Sequence, residues 1–378
     1  MDRSRSPAAF GRRRRSGVQA AHFARHQDAL ARDDEPARAC GAPEAGRTAF
    51  RAAIRSAVNN QYFQKYYFDT LARVLAKEMT TMKYHKAVLM VAALCAFASG
   101  AQAQETGTLK KIKDTGVIAL GHRESSIPFS YYDQNQQVVG YSREFQLKVV
   151  DAVKKKLNLP NLQVKNIPVT SQNRIPLVQN GTVDIECGST TNNAERQQQA
   201  AFSNTIFVIG TRLMTKKDSG VKDFADLKGK TVVTTAGTTS ERLLRKMNND
   251  KQMGMNIISA KDHGDSFNTL ESGRAVAFMM DDALLAGERA KAKQPGEWVI
   301  VGTPQSEEAY GCMMRKGDPE FKKVVDDAIA QVEKSGEAAK IYAKWFENPI
   351  PPKNLNLNFP LSDSMKKLYA NPNDKALD

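Results

Sequence analysis

From Gly116 onward the chain alternates short apolar runs with segments of helical periodicity, which restricts it to α/β layers. GVIALGH (116–122) reads as a buried strand. Phe145, Val149, Val153 and Leu157 then recur every four residues along one helical face. LQVKNIPV (162–169) and TVDIECG (182–188) read as further strands, with a short helix at NRIPLVQNG between them. After AAFSNTIFVIGTRLMTKK the alternation begins again. TVVTTAG, NIISA, AVAFMM and EWVIVG are its strands, and TSERLLRKMNND, SFNTLESG and DDALLAGERAKAK its helices. YGCMMRK is a last strand, and DPEFKKVVDDAIAQVEKSGEAAKIYAKWF carries helical periodicity broken at Gly336. Two such runs predict two mostly parallel sheets, with ligand crevices at the carboxyl ends of their strands. The tail NPIPPKNLNLNFP places Pro349, Pro351 and Pro352 within four positions, so an extended strap is expected there rather than a helix.

The net charge of +14 looks like a nucleic-acid signal until it is located. Residues 1–103 hold 17 Lys/Arg against 8 Asp/Glu, so nine of the fourteen net charges lie outside the alternating region. The segment MKYHKAVLMVAALCAFASGAQAQ, from Met82, explains the division. Lys83 and Lys86 precede an apolar run from Ala87 to Gly100, and Ala101 to Ala103 fit the small-x-small rule of a signal-peptidase site. The run is short for a bilayer span, and a buried helix is its alternative. A signal peptide over 82–103, cleaved near Ala103/Gln104, predicts a periplasmic protein. A secretory signal opens a protein, so residues 1–81 are expected to be a non-native, disordered extension upstream of a start at Met82 or Met79. As a nucleic-acid arm, GRRRRSG would have to precede an export signal, and no nucleic-acid partner is expected. Cys40 and Cys95 fall before the cleavage point, leaving Cys187 and Cys312. In an oxidising compartment two cysteines suggest one disulfide, with two buried thiols as the alternative.

Arginines with nearby hydroxyls recur at the strand-to-helix turns. Arg123 follows the first strand, Ser171 and Arg174 the second, and Ser189, Thr191 and Arg196 the third. In the second run Thr238, Thr239 and Ser240 stand at a helix start, where free N–H groups favour an anion. His263 ends one strand and Asp281 the next. Taken singly, each has a plainer reading: a helix-start hydroxyl is an N-cap, a loop arginine is solvated, and Asp281 and Asp282 cap a helix. Their convergence on strand carboxyl ends in both runs argues for one site. Guanidiniums pair bidentately with carboxylates, and Asp281 suits an ammonium group. Three arginines and one acid therefore fit a ligand with two carboxylates and one amine, an acidic amino acid. The motifs G-x-x-x-x-G-K-[ST], G-x-G-x-x-G and H-E-x-x-H are all missing. Asp262, His263, Asp265 and Ser266 supply the letters of a hydrolase triad, but neighbours in sequence rarely aim at one another. His122 and His263 are the only histidines after residue 103, which excludes a histidine-rich metal site. Neither a metal nor a cofactor is expected.

GHRESSIPFSYYD, TSQNRIPLVQNGT, ECGSTTNNAERQ, AAFSNTIFVIGTRL, SAKDHGDSFNTLESGRAVAFMMDDALLAGERAKAK and NPIPPKNLNLNF closely resemble the periplasmic glutamate/aspartate-binding proteins of bacterial ABC importers, within extracellular solute-binding protein family 3. The resemblance runs from about Leu109 to the C-terminus. It implies a type II periplasmic binding protein-like fold, two α/β lobes joined by two β-strand hinges with the ligand in the cleft. Lobe one would comprise 104–205 plus 309–378, and lobe two 206–308. Arg196 would grip the ligand α-carboxylate with Thr239 assisting, and Asp281 would hold the ammonium beside Ser189 and Thr191. Arg123, Ser171, Arg174 and His263 would hold the side-chain carboxylate. Cys187 and Cys312 would both fall in lobe one, compatible with a disulfide. The implied partners are L-glutamate, L-aspartate and the permease subunits of an ABC transporter, the protein itself being a monomer and not an enzyme. The competing expectation is an enzyme on the same bilobed fold, a cyclohexadienyl dehydratase-like protein, which needs a general acid in the cleft and no ammonium partner. A receptor or signalling module would need a membrane span or kinase segment after residue 350, and there is none.

Overall fold

A computed structural model describes residues 107–354 and 356–377. The expectations for residues 1–81 and for the signal at 82–103 lie outside the described residues. The first half carries α1 (Gly107–Thr115), β1 (Val117–His122), β2 (Ser125–Ser126), β3 (Ser130–Tyr132), β4 (Val138–Val139), α2 (Tyr141–Leu157) and β5 (Gln163–Pro168). These are followed by α3 (Arg174–Gln179), β6 (Ile185–Glu186), β7 (Thr191–Asn192) and α4 (Ala194–Gln197). A long strand, β8 (Ala201–Lys216), leads to β9 (Thr231–Thr235), α5 (Thr239–Asp250), β10 (Asn256–Ala260), α6 (His263–Glu271), β11 (Ala277–Asp281), α7 (Asp282–Lys291) and β12 (Trp298–Val301). The chain returns through β13 (Glu307–Met314) to α8 (Pro319–Lys334), α9 (Glu337–Tyr342) and α10 (Asp363–Ala370).

The helices form where the periodicity placed them. Phe145, Val149, Val153 and Leu157 are all buried on α2, which ends at Asn158 in the left-handed region. Asp318 caps α8, with Pro319 in its first turn, and the helical run breaks at Gly336 as the sequence indicated. α10 was not anticipated: it follows the prolines, is capped by Ser362, and buries Met365, Leu368 and Tyr369. Upstream of it the strap has little regular structure. It is pinned by the Tyr131 hydroxyl donating to the Pro351 carbonyl (2.8 Å) and by Lys353 Nζ donating to the carbonyl of Lys291 at the end of α7 (2.6 Å).

The two expected sheets are one hydrogen-bonded path, β10-β9-β11-β8-β13-β6-β1-β5. Pairing is parallel within each lobe, β1 with β5 and β6, and β9 with β10 and β11. It is antiparallel through the middle, where β8 pairs with β13 along one part and with β11 and β12 along the other. The reason is length: sixteen residues of β8 cross from one lobe into the other, and β13 recrosses beside it. These two strands are the hinges. An aromatic cluster sits behind them, with Phe129 edge-on to Phe207 and Tyr310, and Phe207 stacked on Tyr342 and Phe346.

Cys187 and Cys312 form a disulfide that ties β13 to the end of β6. It closes a loop with a sequence separation of 125. A loop of that size restricts the unfolded chain strongly, so the double change Cys187→Ala, Cys312→Ala is expected to cost ~3–5 kcal/mol. Thermal melting should fall by roughly 10 °C; an unaltered melting temperature would show that the bridge contributes nothing.

Candidate functional site

Each lobe presents its candidate side chains from the carboxyl ends of its parallel strands. Arg123 follows β1, Ser171 lies just past β5, Arg174 opens α3, and Ser189, Thr191 and Arg196 follow β6. Facing them, Thr239 opens α5, His263 opens α6 and Asp281 ends β11. All but Thr239 are buried. The helix-capping alternatives are now separable. Thr238 caps α5 by accepting from the Glu241 N–H, which frees Thr239. Asp281 makes no side-chain cap bond to α7, whereas Asp282 accepts from the Ala283 N–H.

The first group gathers around Ser189. Arg123 Nη1 donates to Ser189 Oγ (3.4 Å), and Arg174 Nη1 donates to the Ser189 carbonyl (2.9 Å) and to Thr190 Oγ1 (2.6 Å). Arg123 Nη2, Arg174 Nε, Ser171 Oγ and His263 Nε2 are buried with no hydrogen-bond partner among the described residues. Four orphaned groups from three segments are unusual, because buried polar atoms are nearly always paired. His263 Nδ1 is engaged with Thr235 Oγ1 at 2.9 Å. Burial, then the positive charges of Arg123, Arg174 and Lys291, hold the imidazole well below its usual pKa, so it is neutral at pH 7.

The second group spans the cleft. Arg196 donates to the Thr191 carbonyl (3.0 Å) in its own lobe and to the Gly237 carbonyl (3.3 Å) in the other. Asp281 accepts from Thr211 Oγ1 (3.0 Å), Ser240 Oγ (3.1 Å) and the Tyr310 hydroxyl. Burial, then the neighbouring Glu308, raises its pKa to about 7. Burial lowers the Arg196 guanidinium to about 9, with Arg174 and Arg242 adding to the effect. Arg123 is lowered to about 10 by burial and then by Arg174. All three guanidiniums remain charged at neutral pH.

Two carboxylates escaped the sequence-level inventory of three guanidiniums and one acid. Glu308, on β13, accepts from the hydroxyls of Thr191, Thr239 and Ser306, with Thr211 Oγ1 3.4 Å away. Glu186, the last residue of β6, is fully buried and accepts from Thr190 Oγ1 at 2.5 Å. Its charge favours the protonated forms of both Arg123 and Arg174. An acid inside a strand carries no sequence signal that separates it from one on a solvent face. Among the described residues, no group of three or more His, Cys, Asp or Glu is placed to hold a metal ion.

The lobes touch through small residues. The Gly264 N–H donates to Ser125 Oγ at 3.2 Å. A side chain on Gly237 would sit 2.9 Å from the Gln172 backbone, and one on Gly287 would sit 2.2 Å from the Ile127 carbonyl oxygen.

The model of the bacterial extracellular solute-binding proteins, family 3, matches residues 118–348. The chain belongs to this family. This solute-binding protein is 73% identical over 270 residues to the glutamate/aspartate import solute-binding protein of Salmonella typhimurium, covering 71% of this chain and 89% of that one. The protein of the same name from Escherichia coli is 67% identical over 301 residues, 78% of this chain and 100% of the other. The L-glutamate/L-aspartate-binding protein of Pseudomonas aeruginosa is 71% identical over 272 residues, 72% and 90% of the two chains. Among solved structures, an ancestral arginine-binding protein bound to arginine matches with a TM-score of 0.55 at 30% identity, over 61% of this chain and 98% of that one. An ancestral amino-acid-binding protein, described as a precursor of cyclohexadienyl dehydratase, matches with a TM-score of 0.54 at 29% identity, over 63% and 99%. The bilobed architecture with a ligand cleft is that of the family.

Proposed function

We propose that this solute-binding protein captures L-glutamate or L-aspartate in the periplasm and presents it, without chemical change, to the permease subunits of an ABC importer. The observation that carries the reading is the set of unpartnered donors, Arg123 Nη2, Arg174 Nε, Ser171 Oγ and His263 Nε2. A side-chain carboxylate satisfies them. With Nδ1 accepting from Thr235, the neutral His263 offers Nε2–H as a donor to the same group. Arg196 and the helix-start N–H of Thr239 grip the α-carboxylate, and Asp281 holds the ammonium, with Ser189 and Thr191 completing the wall. The names of the Salmonella, Escherichia and Pseudomonas relatives support the choice of ligand. An ammonium partner in the cleft argues against the dehydratase alternative, whose cyclic carboxylate substrate brings no amine.

Lobe one comprises 104–205 plus 309–378 and lobe two 206–308, and β8 and β13 flex between them. Ligand binding draws the lobes together, and the permease reads the closed monomer. Calorimetric titration should show one-to-one binding of both acids. Glutamine should bind at least about a hundredfold more weakly, since a neutral amide leaves buried guanidiniums without an anion. At about 100 times the dissociation constant, ligand should add ~2.7 kcal/mol of stability, visible as a melting shift. No heat from either acid ends the reading.

A further inference from the structure

Glu308 reaches the site from the hinge, not from the strand ends that supply the other residues. It lies on β13 opposite Ile209 of β8 and is 4% exposed. Its Oε2 accepts from Thr191 Oγ1 at 2.5 Å and from Thr239 Oγ1 at 2.7 Å, one hydroxyl from each lobe. Its Oε1 accepts from Ser306 Oγ at 3.1 Å. Thr211 Oγ1 lies 3.4 Å from this oxygen and 3.0 Å from Asp281 Oδ1. One hydroxyl has one proton, so Thr211 serves the closer acid, Asp281, and links the two carboxylates without satisfying both.

We infer that Glu308 is a positioning residue for the bound amino acid: it latches Thr191 to Thr239 across the closed cleft and stands as a second negative charge at the ammonium end of the site. The inference rests on the proposed capture of an acidic amino acid. The groups facing the acid pair are known. Thr211 comes from β8, Ser240 and Thr239 from α5, Tyr310 from β13 and Thr191 from β7. Arg174 and Arg196 supply the nearby positive charge. Burial, then the neighbouring Glu308, raises the Asp281 pKa to about 7, so the acid takes up a proton near neutrality. An ammonium ligand needs it ionised, so the affinity is full above pH 7 and falls as pH drops below it.

The test is calorimetric titration of L-glutamate into the wild-type protein, Glu308→Gln and Glu308→Asp at pH 8 and pH 6. The ionised fraction of a group with pKa near 7 drops about tenfold over that interval, while glutamate's own carboxylates stay charged. Wild-type affinity should therefore be about tenfold weaker at pH 6. Glu308→Gln should bind at least about tenfold more weakly at pH 8, because both threonine contacts lose their charge assistance. Its ratio between the two pH values should be smaller than the wild type's, since Asp281 no longer faces a like charge and only burial still raises its pKa. Glu308→Asp keeps the charge but falls short of the threonines; it should lose affinity and retain the pH ratio. If Glu308→Gln does not fold, Glu308→Asp decides alone, and wild-type affinity in it overturns the latch. A Glu308→Gln profile parallel to the wild type overturns the electrostatic role, as does a wild-type affinity independent of pH. Wild-type protein that takes up no glutamate at either pH defeats the ligand assignment itself, a result distinct from all of these.

Discussion

Arg196→Ala is expected to remove measurable binding of every amino acid, whereas Arg174→Ala should collapse the preference for acidic side chains. The two guanidiniums are equally buried, at 2% and 1% exposure, but the proposed pose gives them different ends of the ligand. Arg196 lies against the Thr191 and Gly237 carbonyls, beside the lobe-spanning hydroxyls of Thr191 and Thr239. In the proposed pose that end meets the head group common to all amino acids. Truncating one member of a buried hydrogen-bonded charge pair costs ~2–5 kcal/mol, which is roughly 30-fold to several thousandfold in affinity. Arg174 lies with Arg123, Ser171 and His263, where the side-chain carboxylate is expected. Its removal should weaken glutamate at least about a hundredfold while leaving glutamine within about tenfold, bringing the two together. It should also lower the melting temperature. Arg174 braces the Ser189 carbonyl and Thr190, and it supplies counter-charge to the buried Glu186. The ratio of the two affinities is therefore the decisive readout, because it is insensitive to a general loss of stability. Equal losses for glutamate and glutamine in Arg174→Ala would mean that the two ends have been assigned the wrong way round.

The electrostatics of the cleft differ from a count of its arginines. Three guanidiniums face three carboxylates, Glu186, Asp281 and Glu308, and burial works against the charged forms of Arg123, Arg196 and Asp281. Such a site holds its cations in place before a ligand arrives, since each guanidinium already leans on a carbonyl, a hydroxyl or an acid. The donors left over, not the total charge, then define what the ligand must bring.

Much of this was legible because strand–helix alternation is a strong pattern and because crevices form where parallel strands end. Arg123, Arg174, Arg196, Thr239, His263 and Asp281 could be assembled from that rule alone, and the structure brings them together. β8 was harder to read. Burial alternates only over Phe207–Leu213, where Phe207, Val208 and Ile209 are apolar in succession, so the sequence neither marks β8 as one strand nor reveals that it crosses between lobes. The single sheet path followed from that crossing and was missed with it. α10 was overlooked because the prolines before it dominate the local pattern, although Ser362, Met365 and Tyr369 carried an N-cap and an apolar face. Glu186 and Glu308 were invisible for a different reason. Their roles depend on which hydroxyls and guanidiniums surround them, and only the folded chain brings those together.

Gly287→Ala should weaken glutamate binding by at least about thirtyfold, or ~2 kcal/mol, without destabilising the ligand-free protein. Gly287 is an interior residue of α7, where alanine would favour the helix by ~1 kcal/mol, so local structure does not call for glycine. The reason lies across the cleft. A Cβ at this position would stand 2.2 Å from the Ile127 carbonyl oxygen and 2.7 Å from its carbon, well inside contact distance. The obstructing atoms are backbone, and the turn that carries them is held in place. Phe129 N donates to the Ser126 carbonyl at 2.7 Å, and Tyr141 N donates to the Pro128 carbonyl at 2.8 Å. The Phe129 ring is packed among Phe207, Tyr310 and Phe346. The added methyl group therefore cannot be absorbed by a side-chain rotation, and α7 must stay away from the turn. In that position Asp281, one residue before α7, cannot be brought up to a ligand held by Arg174 and Arg196. The open lobes feel none of this, so the ligand-free melting temperature should be unchanged or slightly raised, while the stabilisation by saturating glutamate shrinks. Wild-type affinity in Gly287→Ala would mean that binding does not require α7 to seat against Ile127, and that the lobes close by a different path.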